Sequence, residues 1–280
     1  MVRPGLRAKR SVLVWLGTLA IAVPGMAGEQ KPSPDWTPYP VLRKEVKGRT
    51  ELRLVAIPQG FETLTDFPPT VGRDPTALAR VVPVNPEGTT LRADGVGNYH
   101  WIMAQSSDLQ QEYTWTTAHH FAVAGPSPAA LLVSPKSRLE IIPQPLPREF
   151  SRYRAGETSH FLVRFDQHPL PNQAVTLYAP GQPEERLATD AQGTLRVQFP
   201  PFPLSSSQQT GSQPRHRPPL QPFQLAVTWP AESRRFTTVF QYEYGPDPFY
   251  NRNPAWGWLV TGVGMVGGAS LWRSRKGERA

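Results

Sequence analysis

Six histidines are the side chains best suited to chemistry: His100, His119, His120, His160, His168 and His216. Imidazole nitrogens suit nickel, cobalt, copper or zinc. A site needs several such ligands converging within about 2–2.5 Å of one ion. Neighbouring residues on a strand point to opposite faces, so His119 and His120 cannot serve one ion together. His100 and His120, on adjoining expected strands, are therefore the candidate metal ligands. Asp94 and Asp108 lie in nearby turns as carboxylate donors. His216 falls in a polar loop and reads as solvated.

Other chemistries find less support. The chain has no cysteine, which excludes disulfides, cysteine-based zinc sites and thiol nucleophiles. It contains no GxSxG elbow and no HExxH helix motif. No glycine-rich turn follows a strand to open a helix around phosphate. Glu184 and Glu185 sit in an expected hairpin turn and read as solvated charge. Trp101 and Trp115, on adjacent strands beside His100 and His119, read as core. No catalytic or cofactor-binding residue is assigned, and the expectation is a protein that is not an enzyme.

The formal charge of +8 invites a nucleic-acid reading, but its distribution argues otherwise. Arg3, Arg7, Lys9 and Arg10 crowd the start; Arg273, Arg275, Lys276 and Arg279 crowd the end. Between residues 28 and 272 there are 22 basic and 21 acidic residues, a net charge of only +1. A near-neutral body has no footprint for a phosphate backbone.

The two basic ends flank apolar runs instead. Val12–Val23 follows the first basic cluster, and small residues precede a cut after Ala27, so residues 1–27 read as a secretory signal peptide. A single Lys9-Arg10 pair does not make a twin-arginine signal. Residues 255–272 hold the uncharged run Trp256–Trp272, bounded by tryptophans and followed at once by basic residues. That is the pattern of one membrane-spanning helix with a cytoplasmic tail, residues 273–280. Gly264 and Gly268 form a GxxxG pair on it. The expected location is the bacterial inner membrane, with the body in the periplasm. Absence of cysteine agrees with an exported compartment.

Residues 28–48 form an extended leader rich in proline and charge, with a possible edge segment. Beyond it, short β-type runs are separated by Pro, Gly, Asn and Asp. The expected strands are 51–57, 79–84, 99–105, 113–123, 130–134, 138–142, 158–165, 174–178, 194–199, 223–229 and 236–244. In the fourth of these, Tyr113, Trp115, Thr117, His119 and Phe121 share a face. In the seventh, Phe161, Val163 and Phe165 do so. Thr189-Asp190-Ala191-Gln192-Gly193 reads as a turn ending on a left-handed glycine. Residues 200–222 are biased toward Pro, Ser and Gln and read as a flexible loop. Proline recurs too often for long helices. The fold class is all-β: two Ig-like sandwich domains, 49–128 and 129–247, with a boundary near Gly125-Pro126-Ser127-Pro128.

The second half resembles a known group. Lys136 to Glu149 reads KSRLEIIPQPLPRE and resembles the LEIIPQPLPRE segment of an exported bacterial family of largely unknown function. Phe161–Phe165, Pro169-Leu170-Pro171 and Thr189–Gly193 resemble its hairpin core. Tyr99-His100-Trp101-Ile102 and Gly125–Pro128 also look like its signatures, so the likeness covers most of residues 95–245. The resemblance implies a prealbumin-like or carboxypeptidase-regulatory-like β-sandwich, and some relatives serve as periplasmic components of cobalt or nickel uptake systems. The chain departs from those relatives in two places. Gly28-Glu29-Gln30 lacks a histidine near the expected mature N-terminus, and Phe150 stands where a histidine is expected. The resulting expectation is a membrane-anchored periplasmic binding or scaffold protein contacting an envelope or transporter partner. The alternative is an accessory of nickel or cobalt uptake that binds the ion through histidines.

Overall fold

The computed structural model describes residues 35–55, 61, 63–70, 73–85, 87–93, 99–147, 152–202 and 220–246. The expected signal peptide, the first residues of the leader, most of the loop at 203–219, the anchor, the basic tail, Asp94 and His216 lie outside them. No helix among the described residues is long and apolar enough to cross a membrane.

Alternating apolar and polar side chains build three sheets. The small one joins β1 (Arg43–Val46), β2 (Glu51–Val55) and β5 (Thr89–Arg92), with β2 in the middle. The large one runs β13 (Glu185–Ala188), β12 (Ala174–Tyr178), β15 (Gln221–Ala231), β16 (Arg234–Gly245), β7 (Gln111–His120), β6 (Tyr99–Ser107), β3 (Thr63–Phe67), β4 (Arg80–Pro83). The short β9 (Tyr153–Arg154) pairs with the far end of β16. In the third sheet, β10 (Thr158–Phe165) pairs with β8 (Leu139–Gln144), β14 (Thr194–Gln198) and the short β11 (His168–Pro169).

The large sheet is apolar on both faces, which makes it the middle layer. On one face Trp101, Phe223, Leu225, Phe236 and Phe240 pack with Ile141, Phe161, Val163 and Leu195 of the third sheet. On the other, Leu64, Ile102, Trp115 and Val239 pack with Leu52, Leu54 and Leu91 of the small sheet. The two cores are thus separated by the sheet and not by position along the chain. The parallel pairing of β7 with β16, from Arg235 opposite Gln111 to Phe240 opposite Thr116, carries the sheet across the Gly125–Pro128 segment. The two expected sandwiches share their central layer.

Alternation within strands holds. Phe161 and Val163 are buried and Phe165 packs beside them; Tyr113, Trp115 and Phe121 all belong to the second core. Trp101 and Trp115 are both buried, but on opposite faces. One expectation needs correction: the run at 130–134 is not a strand but the short helix α1 (Ala129–Val133). Lys136 Nζ donates to the carbonyls of Leu131 (2.6 Å) and Ser134 (2.7 Å) at its end. A short run of Ala, Leu and Val has no periodicity to separate helix from strand. Six strands escaped the pattern. β1 and β13 are charged edges, β5 is four residues long, β9 and β11 have two residues each, and β3 carries the buried Asp66 on its inward face.

Candidate functional site

Strand register decides which histidines meet. β6 and β7 pair so that His100 faces His119, while His120 faces Tyr99. His100 and His120 therefore lie on opposite faces of the sheet and do not converge on one ion. His120 packs edge-on against Tyr99, 4.8 Å between ring centres. His160 and His168 are exposed on the third sheet. Asp108 does not reach the histidines with its carboxylate, which instead accepts the backbone N–H groups of Gln110 and Gln111 at 2.7 and 2.6 Å.

The chemistry-bearing cluster that forms is Asp66, His100 and His119. Asp66 faces Ile102 across β3 and β6, which puts its carboxylate on the same face as His100. Asp66 and His100 are 0% and 1% exposed, and Asp66 Oδ1 lies 2.8 Å from His100 Nδ1. The other carboxylate oxygen accepts from the Arg80 guanidinium, which also donates to the Arg92 carbonyl at 3.0 Å. Phe121 wedges against both imidazoles, 4.8 Å from His100 and 4.6 Å from His119. Among the described residues neither His100 Nε2 nor His119 Nε2 has a hydrogen-bond partner. Burial pushes the His119 imidazole down to about 3, and nearby Lys44, His100 and His120 push the same way. His119 is thus neutral in the fold at any ordinary pH. Lys44 is itself held low by burial, with its ammonium on the Ala118 carbonyl (3.2 Å) and over the Tyr242 ring (4.9 Å).

The cluster does not match the expected nickel or cobalt site. Two inward imidazoles and a carboxylate held by Arg80 fall short of a coordination sphere. No group of three His, Asp or Glu among the described residues gathers as metal ligands. The described residues do not fit the ion.

Two further ionic clusters tie the layers together. Under α1, Glu140 (3% exposed) faces Arg164 across β8 and β10, with Arg164 Nε on Glu140 Oε2 at 2.8 Å. Lys136 joins them at 3.6 Å, and its ammonium lies 4.8 Å over the Trp101 ring. Burial lowers the Lys136 amine to about 8, partly offset by Glu140. At the surface, Arg138 makes two paired contacts, to Asp166 at 2.9 and 2.6 Å and to Glu232 at 2.9 and 2.8 Å. Its guanidinium also stacks 4.8 Å from both Phe165 and Phe236. Asp166 and Glu232 are consequently held below the usual carboxylate range.

Sequence reasoning missed the strap that crosses the second core. Residues 37–42 are pinned by two buried glutamines on β15 and β16. Gln224 accepts from Thr37 Oγ1 (2.6 Å) and donates to the Pro40 carbonyl (2.7 Å). Gln241 donates to the Leu42 carbonyl (2.8 Å) and accepts from Leu42 N–H (3.2 Å) and Trp115 Nε1 (3.3 Å). An available signal was the pair of amides at inward positions of otherwise apolar strands.

A comparison with protein-family models finds no match, and a comparison with curated proteins finds none. Among solved structures, the chain is similar to the crystal structure of chicken CNTN1 FN1-FN3 domains, at 10% identity and a TM-score of 0.18. That likeness covers 74% of this chain and 66% of the other, just under two thirds. At this TM-score it carries no argument, and the β-sandwich assignment rests on the packed sheets themselves.

Proposed function

We propose that the chain is a periplasmic binding or scaffold protein, exported by residues 1–27, anchored in the inner membrane by residues 255–272, and not an enzyme. In this reading it is an exported β-sandwich protein of the prealbumin-like kind that its KSRLEIIPQPLPRE segment resembles. One observation carries the reading. The ionic side chains that the fold gathers serve as fasteners: Asp66 with His100 and Arg80, Glu140 with Arg164 and Lys136, and, at the surface, Arg138 with Asp166 and Glu232. Ionic groups engaged with one another stabilise geometry and leave the rest of the surface to make contacts. Large apolar side chains stand out on that surface, Leu109 at 94%, Val133 at 73% and Val81 at 67% exposed. They are positions from which an envelope partner can be read.

The test is site-specific photo-crosslinking in intact cells from Leu109, Val133 and Val81 in the full chain. The reading expects a discrete adduct with an envelope protein from at least one position. No adduct from any of them contradicts it.

A further inference from the structure

A groove of about 470 Å³ lies between the strap and the turn after β12, lined by Asp35, Trp36, Thr37, Pro38, Tyr178, Gln182 and Glu184. Its walls are fixed by the fold. Trp36 precedes Thr37, whose hydroxyl is bonded to the buried Gln224. Tyr178 ends β12, is paired with Gln224 in register, and packs edge-on against Tyr39 at 5.7 Å. Two half-buried aromatic rings therefore stand at the groove, Tyr178 on the paired backbone of β12 and Trp36 next to the Thr37 side chain bonded to Gln224.

The polar lining is acidic. Asp35 and Glu184 are exposed, and among the described residues no Lys or Arg lines the groove. Arg186 reaches Glu184 at 3.3 Å from outside it, with the two side chains 80% and 52% exposed. An exposed pair of this kind contributes little, so Glu184 stays open to another cation. Glu184 also helps hold the Tyr178 hydroxyl above its usual value, second to burial. Aromatic faces beside carboxylates attract organic cations, because the ring quadrupole and the carboxylate charge act together.

We infer that this groove binds an organic ammonium cation, with Trp36 and Tyr178 supplying the aromatic faces and Asp35 and Glu184 the charge. The site is separate from the histidine cluster and from the surface positions proposed for an envelope partner. It therefore stands whether or not that partner is found.

The test uses the full chain in phosphatidylglycerol nanodiscs, which carry no choline, with choline and its neutral isostere 3,3-dimethylbutan-1-ol as probes. Saturation-transfer NMR reads binding. Choline should bind in the millimolar range and the isostere at least about tenfold more weakly. Trp36→Ala should weaken choline about threefold or more. Asp35→Asn with Glu184→Gln, both exposed and neutral to folding, should do likewise, and Tyr178→Phe should retain binding. Equal binding of the isostere overturns the inference, as does no choline signal at about 20 mM. Binding of maltotriose without choline also overturns it, because the groove would then be a sugar platform.

Discussion

Gln224 and Gln241 face each other across β15 and β16, and each holds the backbone of the strap at residues 37–42. Gln224 Nε2 also donates to Gln241 Oε1 at 3.2 Å. The two amides turn a proline-rich segment into part of the second core. Gln241→Leu would leave the Leu42 N–H and carbonyl and the Trp115 indole N–H unpaired. Buried groups left unsatisfied cost about 1–3 kcal/mol. The expected result is a loss of that order in urea unfolding, with faster amide exchange confined first to residues 35–46.

His119 sets an acid limit. Its imidazole is lowered from 6.5 to about 3 in the fold. Below pH 6.5 the unfolded chain takes up a proton that the folded chain refuses, so stability falls as pH drops from 6.5 toward 3. The contribution reaches about 2 kcal/mol or more by pH 4. Urea midpoints between pH 7 and 4 should decline in the wild type. His119→Gln should flatten that decline. An unchanged slope in the variant would remove His119 as its source.

Glu140 is the carboxylate that Lys136 and Arg164 share. Glu140→Gln would leave two buried cations without their partner, and breaking a buried ionic group costs about 3–5 kcal/mol. Lys136→Met should cost less, because the Glu140–Arg164 pair survives it. Lys136 also gives a high-pH signature. With its amine lowered to about 8 from 10.5, the unfolded chain binds more protons across that window. Stability contributed by this group therefore rises from pH 8 to 10.5. Thermal unfolding of wild type and Lys136→Met over this range checks both points.

The turn Thr189–Gly193 was legible from sequence, and its geometry explains why. Asp190 Oδ1 accepts the N–H groups of Gln192 (2.9 Å) and Thr194 (2.8 Å), and Gly193 takes φ +73°. A Cβ on Gly193 would lie 2.8 Å from Pro169 Cβ and 3.0 Å from the Val163 carbonyl. Gly193→Ala should destabilise by about 1–3 kcal/mol. Asp190→Ala should cost about 1–2 kcal/mol. Chemical denaturation checks both.

Period and punctuation carried the longer strands because one inward face repeats over many residues, as along Phe161 and Val163. They did not carry β3, where Asp66 breaks the apolar face while pointing inward, or β13, whose charges face solvent. The candidate site failed for a related reason. Which histidine meets His100 depends on register, and a shift by one residue exchanges His119 for His120. A single sequence fixes the alternation of a strand, but the pairing is set by long-range packing. The central position of the large sheet was hidden likewise, since it depends on β7 meeting β16 over 120 residues away.

The most direct test of the account is the orientation of the full chain in the membrane. In spheroplasts carrying the protein with an epitope after Ala280, external protease should remove the β body and leave the C-terminal epitope intact inside. A protected body, or an epitope destroyed from outside, would contradict the exported and anchored scaffold proposed here.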